Sequence, residues 1–532
     1  MNARLGLALL GGGAAGIAVA AALTPVTGAP VPAANSCEAL VGRTVESGSI
    51  DKAVLVKPGE SIITEEGKPG LPAPAAFCRA FATLKPTPQS SIKVEIWLPE
   101  RSAWNGKLLG AGNGGYGGSM TLPGLTMRGG LAKGYAATGS DMGHALTADV
   151  DASWALNQPE KIKDWGYRAN HLAAIVAKQV VAAYYPTPLG AAYFQGCSDG
   201  GREALTEAQH YPLDYDAIIA GAPANAWTGL MRAFMADHAA AFAKPESAIP
   251  NAKLKLLQTG ALAQCDAKDG VIDGVIDDPR QCHFDPVVLQ CKAGDGPDCL
   301  TAAQVATARA LYRGPVDHAG TSLYPGYQPG GEAVPGAWDV WLTGPTAQHG
   351  RFGTEFFRNM VHSNAAWQAT DYDPVRDPAL ARRMYAKVLD ADNPDLAAFY
   401  AHGGKLILYH GWSDAALAPG GTINYYQALQ RTHPRETASS VRLFMVPGMS
   451  HCLGGPGANV FDTLTALDKW KKEGAAPERL VATRFDNPFF GYLGLPAKPL
   501  GTRPLCAYPK VARWNGTGST DDAANFTCVA PS

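Results

Sequence analysis

The sequence predicts an α/β fold with a mostly parallel sheet and one large insertion, and three observations carry that reading. Short apolar runs of strand length alternate with segments of helical period. A serine flanked by glycines stands at a strand-to-helix junction. The alternation stops between residues 223 and 393 and then resumes. With 532 residues, 46% apolar and only 17% charged, the chain can bury a large core. Its 45 basic and 47 acidic residues leave a net charge of −2. No basic stripe stands out, which argues against nucleic acid as a partner.

Residues 1–33 read as a secretory signal peptide. Arg4 supplies the positive start, Leu5 to Leu23 carries no charge, and small residues and prolines follow to Asn35. The Gly/Ala content makes this run a weak membrane span, and no second run of that kind follows. A secreted or periplasmic protein with no membrane contact after cleavage is expected.

Residues 34–222 form the first part of the core. Ser91 to Leu98 alternates with the strand period of two, and Lys107 to Gly110 leads into the glycine-rich loop Ala111 to Gly118. Tyr135 to Gly139 and Ala191 to Gln195 have the composition of short buried strands. Asp164 to Tyr185 sets Trp165, Leu172, Ile175, Val176 and Val180 at helical spacing. Residues 223–393 read as an inserted lid domain, rich in Asp-Gly and Pro-Gly turns and in aromatics such as Trp338, Trp341, Phe352 and Trp367. Residues 394–532 return to the core with the strands Lys405 to His410 and Val441 to Val446.

Gly196-Cys197-Ser198-Asp199-Gly200 matches Gly-x-Ser-x-Gly. It follows an apolar strand and precedes the helix-compatible stretch Gly201 to His210, the tight turn that lifts a serine hydroxyl to the top of a sheet. The strand 405–410 ends just before Asp414, and the strand 441–446 just before His451. The chain order Ser198, Asp414, His451 is that of an α/β-hydrolase. A serine hydroxyl needs a neutral imidazole to take its proton, and a carboxylate to orient that imidazole. His410 and Asp199 are rivals for these roles; His410 lies inside a strand, and Asp199 directly follows the nucleophile. The N–H of Asp199 is one expected oxyanion donor, and the glycine-rich loop supplies the second, Gly115 ahead of Gly114.

The ten cysteines are an even set with no Cys-x-x-Cys spacing, which favours disulfides in an exported chain. Neighbourhood suggests Cys265–Cys282, Cys291–Cys299 and Cys506–Cys528. Cys197 precedes Ser198 and Cys452 follows His451, so a Ser–His hydrogen bond would bring those two within bridging reach. Between Cys265 and Asp278, aspartates recur every three or four residues among glycines. That pattern suits either a calcium loop or a pair of solvated Asp-Gly turns; it is not an EF-hand.

Four motifs together resemble the tannase/feruloyl esterase family, which includes the enzyme that hydrolyses mono(2-hydroxyethyl) terephthalate. They are Gly-Cys-Ser-Asp-Gly-Gly-Arg at 196–202, Cys-Asp-x-x-Asp-Gly-x-x-Asp-Gly at 265–274, Tyr-His-Gly-Trp-Ser-Asp at 409–414 and Gly-Met-Ser-His-Cys at 448–452. The resemblance implies an α/β-hydrolase core with a large lid inserted between nucleophile and acid. It implies a structural Ca2+ in that lid, held by Asp266, Asp269 and Asp273 and the carbonyls of Val271 and Val275. Disulfides Cys37–Cys78 and Cys197–Cys452 are implied beside the three local pairs.

The expected activity is that of a secreted serine esterase acting on a small aromatic ester of feruloyl or galloyl type. A terephthalate monoester hydrolase is the alternative within the family. A catalytically silent binding protein on the same scaffold is the alternative outside it, against which the intact Ser, Asp and His argue. Phe356 and Phe357 are the expected ring contacts in the lid.

Overall fold

The structure is a computed structural model that describes residues 36–64, 67–145 and 150–531. The signal-peptide reading of residues 1–33 lies outside the described residues. The strands are Thr44–Val45 (β1), Gly48–Val56 (β2), Ser61–Ile63 (β3), Pro69–Pro72 (β4), Phe77–Leu84 (β5), Ile92–Pro99 (β6), Lys107–Ala111 (β7) and Ala136–Ser140 (β8), followed by Ala191–Cys197 (β9), Ala217–Gly221 (β10), Lys405–Gly411 (β11) and Val441–Val446 (β12). Ten of them form one sheet in the order β1-β2-β5-β6-β8-β7-β9-β10-β11-β12.

From β8 to β12 every pairing is parallel, whereas from β1 to β8 every pairing is antiparallel. The mostly parallel sheet expected from the sequence is therefore corrected to a mixed one. The reason lies in burial. β10 reads Ala-Ile-Ile-Ala-Gly and is buried at every position, the mark of a strand covered on both faces. β2 buries only Ile50 and Ala53 and lies near the open edge of the sheet, where antiparallel ribbons are tolerated.

The helices Ala169–Tyr184 and Asp199–His210 cover the parallel half. Trp165 begins the first of these elements in a π-helical turn, Asp164–Arg168, rather than in regular helix. Two small hairpins complete the C-terminal region, Arg479–Phe485 (β13) with Pro499–Cys506 (β14) and Val511–Trp514 (β15) with Phe526–Val529 (β16). β10 and β11 are neighbours in the sheet, so the whole segment from 222 to 404 is inserted between two adjacent parallel strands. The loops after β7, β9, β11 and β12 all leave from carboxyl ends of the parallel strands, where an open α/β sheet places its sites.

Candidate active site

Ser198 stands between β9 and the helix Asp199–His210, with φ 66° and ψ −123°. A side chain rarely adopts this backbone conformation, and the surrounding contacts enforce it. A Cβ on Gly196 would lie 2.2 Å from the Gly200 carbonyl oxygen, and one on Gly200 would lie 2.6 Å from that of Asn113. Only glycine at both positions lets the strand turn this sharply into the helix.

The three side chains expected to form a proton relay are hydrogen-bonded in series. Ser198 Oγ lies 2.8 Å from His451 Nε2, and His451 Nδ1 lies 2.7 Å from Asp414 Oδ2. Asp414 is 2% exposed, and its other oxygen accepts the N–H groups of Ala416 (2.8 Å) and Leu417 (2.9 Å). Burial alone would raise its pKa. The attraction of His451, with hydrogen bonds from His410 and His451, outweighs burial and holds the carboxyl well below the usual range.

The rival His410 is buried behind the acid. Its Nε2 faces two acceptors, Asp414 Oδ2 and the Leu417 carbonyl, each at 3.1 Å, and its Nδ1 meets the Thr422 hydroxyl at 2.7 Å. Nε2 therefore carries the hydrogen and donates it to the acid. The rival Asp199 faces away from the relay, its Oδ1 2.5 Å from Nε of the fully buried Arg202.

Five disulfides pair all ten cysteines: Cys37–Cys78, Cys197–Cys452, Cys265–Cys282, Cys291–Cys299 and Cys506–Cys528. The second joins the residue before Ser198 to the residue after His451, so it ties the nucleophile's turn to the loop that carries the imidazole.

The glycine-rich loop after β7 packs against the start of the nucleophile helix. Gly114 N–H donates to Asn113 Oδ1 at 3.0 Å. Among the described residues the N–H groups of Gly115 and Asp199 make no hydrogen bond. Asn113 accepts the Gly200 N–H at 3.0 Å and donates its own N–H to Glu203 Oε2 at 2.9 Å.

Glu203 is buried one turn into that helix. Burial first, and the Asp199 charge second, push its carboxyl from 4.5 up to about 8, against the pull of Arg202 and the Asn113 N–H. Folded and unfolded chains then differ in protonation between pH 4.5 and about 8. The stabilising proton is held fully below that window and lost as pH rises through it. Glu203→Gln is expected to remove this slope, which for one group is at most ~1.4 kcal/mol per pH unit. Urea denaturation from pH 5 to 8 checks it; parallel stability curves for the two proteins would contradict the assignment.

Phe356 and Phe357 are not at the cleft. Both are 0% exposed and pack inside the insertion, Phe356 near Tyr385 and Phe357 against Trp367 and Tyr372. Their expected role as ring contacts is corrected to that of core residues. The aromatic beside the relay is Trp341, half-buried, its ring 5.7 Å from that of His451 in an edge-on arrangement and stacked near Phe352 at 6.1 Å. Nothing in the sequence separates Trp341 from the other lid aromatics. Its place follows from contacts across more than a hundred residues.

In the aspartate loop, Asp266 accepts the N–H groups of Asp273 (3.3 Å) and Gly274 (2.9 Å), and Asp269 accepts that of Val271 (2.8 Å). Asp273 accepts the Val275 N–H at 3.2 Å and pairs with Arg503 of β14 at 2.6 Å. Asp269, Asp273, Val275 and Asp277 line one cavity of about 320 Å³. Burial, with repulsion from Asp273 and Asp266, pushes Asp269 up to about 6, and burial with repulsion from Asp269 and Asp278 pushes Asp277 up to about 8. Oxygen-only donors crowded this way suit a hard cation. No three acidic, His or Cys side chains converge into a metal cage among the described residues.

Comparison with known proteins identifies relatives over most of the chain. An uncharacterized esterase of Xanthomonas campestris is 38% identical over 93% of this chain and 92% of its own length. Mono(2-hydroxyethyl) terephthalate hydrolase of Piscinibacter sakaiensis is 33% identical over 83% of this chain and 82% of its own. The crystal structure of feruloyl esterase B from Aspergillus oryzae superposes with a TM-score of 0.82 at 28% identity, covering 92% of this chain and 98% of that one. The model of the family "Tannase and feruloyl esterase" matches residues 78–529. With its α/β-hydrolase fold and a match of that extent, the chain belongs to the tannase and feruloyl esterase family, whose members are carboxylic ester hydrolases.

Proposed function

We propose that this protein is a secreted serine esterase that hydrolyses aromatic carboxylic esters of feruloyl or galloyl type through an acyl-enzyme. The observation that carries the reading is the connected relay Ser198–His451–Asp414 beneath the edge of Trp341. His451 Nε2 takes the Ser198 proton as Oγ attacks the ester carbonyl carbon, and Asp414 stabilises the imidazolium. The charge that develops on the carbonyl oxygen is met by the Asp199 and Gly115 N–H groups. His451 returns the proton to the departing alcohol. Water then repeats the sequence on the acyl-enzyme, with His451 again as base. Five disulfides suit an oxidising compartment, and no helix among the described residues is long and apolar enough to cross a membrane.

The preference for an aromatic acyl group rests on Trp341, an apolar wall whose ring meets the imidazole and is backed by the buried Phe352. Trp341→Ala is expected to lower kcat/KM for methyl ferulate by about tenfold more than for an aliphatic ester of similar size, the scale of one lost ring contact plus its burial. Equal losses on the two esters would reject the wall.

A terephthalate monoester hydrolase would need a cation for the substrate's free carboxylate. Arg358, which follows the core residue Phe357 in the insertion, is held by Glu355 at 2.8 Å and by the Trp367 carbonyl at 2.8 Å. A hydrolysis panel of methyl ferulate, methyl gallate and a terephthalate monoester tests the choice; fastest turnover of the monoester would overturn the phenolic reading.

The acidic loop of the insertion is assigned to structural Ca2+, with Asp266, Asp269 and Asp273 and the carbonyls of Val271 and Val275 as its ligands. The ion would neutralise the crowded carboxylates and stabilise the loop, with no part in the ester chemistry. A ligand at 100-fold its Kd stabilises by about 2.7 kcal/mol. Chelation is therefore expected to lower Tm by a few degrees, reversibly on adding calcium, and Asp269→Asn should abolish the response. An unchanged Tm in chelator, with no calcium by elemental analysis, would refute the assignment.

A further inference from the structure

We propose that Glu203 is the positioning residue of the oxyanion hole, fixing the distance between its two backbone donors through the N–H of Asn113. The inference rests on the serine-esterase reading above. The two donors come from segments far apart in sequence. Asp199 begins the nucleophile helix, while Gly115 belongs to the loop after β7. Glu203 sits on the same helix as the first donor and holds the second donor's loop two residues upstream of Gly115, at 2.9 Å.

The loop has no slack at that point. A Cβ on Gly112 would lie 2.7 Å from Gly200 Cα and 3.0 Å from Glu203 Oε2, so loop and helix are already in contact. The Asn113 backbone carbonyl accepts the Gly200 N–H at 3.0 Å, and its side-chain Nδ2 donates to the carbonyls of Ser119 (2.8 Å) and Ser140 (3.1 Å). These bonds orient Asn113, and the Gly112 N–H before it donates to the Gln195 carbonyl of β9 at 3.0 Å. The Glu203 carboxyl closes the second contact to the helix. Asn113 then has both backbone groups tied to the element that carries Ser198.

A buried N–H must have an acceptor. Without the carboxyl, the Asn113 N–H turns in search of one and carries Gly115 with it. Donors act on the developing oxyanion only when they lie about 2.7–3.1 Å from it, and a misplacement of ~1 Å can cost 10²-fold. The carboxyl needs no charge for this task, because the carbonyl oxygen of a neutral acid accepts the same hydrogen bond. Gln therefore substitutes for it, whereas Asp withdraws the acceptor by one methylene and Leu removes it.

The test compares Glu203→Leu, Glu203→Asp and Glu203→Gln with wild type on an aromatic ester, together with affinity for an aryl boronic acid, which forms a tetrahedral adduct on a nucleophilic serine. Melting curves report the fold of each, and the Asp variant carries the test if the Leu variant does not fold. The expected result is a kcat lower by about 10- to 100-fold in the Leu and Asp variants with KM changed less than about threefold. Boronate affinity should fall in parallel, and the Gln variant should stay within about threefold of wild type. Wild-type kcat in the Leu or Asp variant, a loss confined to KM, or a Gln variant as impaired as Leu would overturn the inference. Labelling by an organophosphonate separates the two levels. If mass spectrometry finds no adduct on Ser198 in wild type, the serine-esterase reading has failed. An adduct on Ser198 together with unaffected Glu203 variants means that only the positioning role has failed.

Discussion

Ser198→Ala is expected to lower kcat on an aromatic ester by about 10⁴- to 10⁶-fold, the loss seen when a catalytic serine is removed from a relay of this kind. The hydroxyl forms the covalent bond to the acyl group, and no neighbouring side chain can replace it. Asp199, next in sequence, is held by Arg202, and Cys197 is consumed in the bridge to Cys452. The residual rate should come from the two backbone donors and from binding alone. Folding should be nearly untouched, since among the described residues the one side-chain partner of the hydroxyl is His451 and the replacement loses one polar atom. A Tm within about 2 °C of wild type is expected, as for substitutions that open no cavity and strand no buried group. Steady-state kinetics and calorimetry on the same preparation decide the matter. A folded variant with a tenth of the wild-type rate would show that another group makes the acyl bond.

The parts of this site that could be read in the sequence are those whose signal is local. Gly196, Ser198 and Gly200 announce a strained turn because only glycines permit it. β11 and β12 are apolar runs whose ends fix Asp414 and His451 by chain order alone. The signals that failed are those that depend on what lies opposite. Phe356 and Phe357 look the same in sequence whether they face a cleft or fill a core, and the packing of Trp367, Tyr372 and Tyr385 around them decides for the core. Trp341 is no more apolar than its neighbours, and only the approach of His451 from 110 residues downstream marks it. Glu203 follows the nucleophile by five residues, yet its partner Asn113 is 90 residues upstream. In the antiparallel half of the sheet β6 was legible as Ser91 to Leu98, while β2 was hidden for a related reason. β2 carries Asp51 and Lys52 among its apolar residues, and its pairing with β5 is long-range.

Asp414→Asn is expected to cost about 10⁴-fold in kcat, the loss known for a relay whose acid becomes an amide, and the hydrogen bonds around residue 414 dictate the reason. The N–H groups of Ala416 and Leu417 both point at the Oδ1 position, so the amide must keep its oxygen there. Its NH₂ then occupies the Oδ2 position, 2.7 Å from His451 Nδ1 and facing His410 Nε2. Flipping the amide would set its NH₂ against two backbone donors in a buried site, which strands polar groups at about 1–3 kcal/mol each. With an NH₂ before it, His451 is stable only as the tautomer with Nδ1 unprotonated and the hydrogen on Nε2. That nitrogen then offers Ser198 a donor where an acceptor is required, and the serine proton has nowhere to go. The substitution is close to isosteric, so KM should change little, and the melting curve should show the loss of the charged hydrogen bonds together with the new NH₂ set against the His410 Nε2–H. Asp414→Ala tests the same point from the other side. It removes the orienting group without imposing the wrong tautomer, so it should be no worse than the Asn variant despite its larger structural change. An Asn variant within tenfold of wild type would mean that His451 draws its orientation from elsewhere, and that Asp414 holds the loop rather than the proton relay.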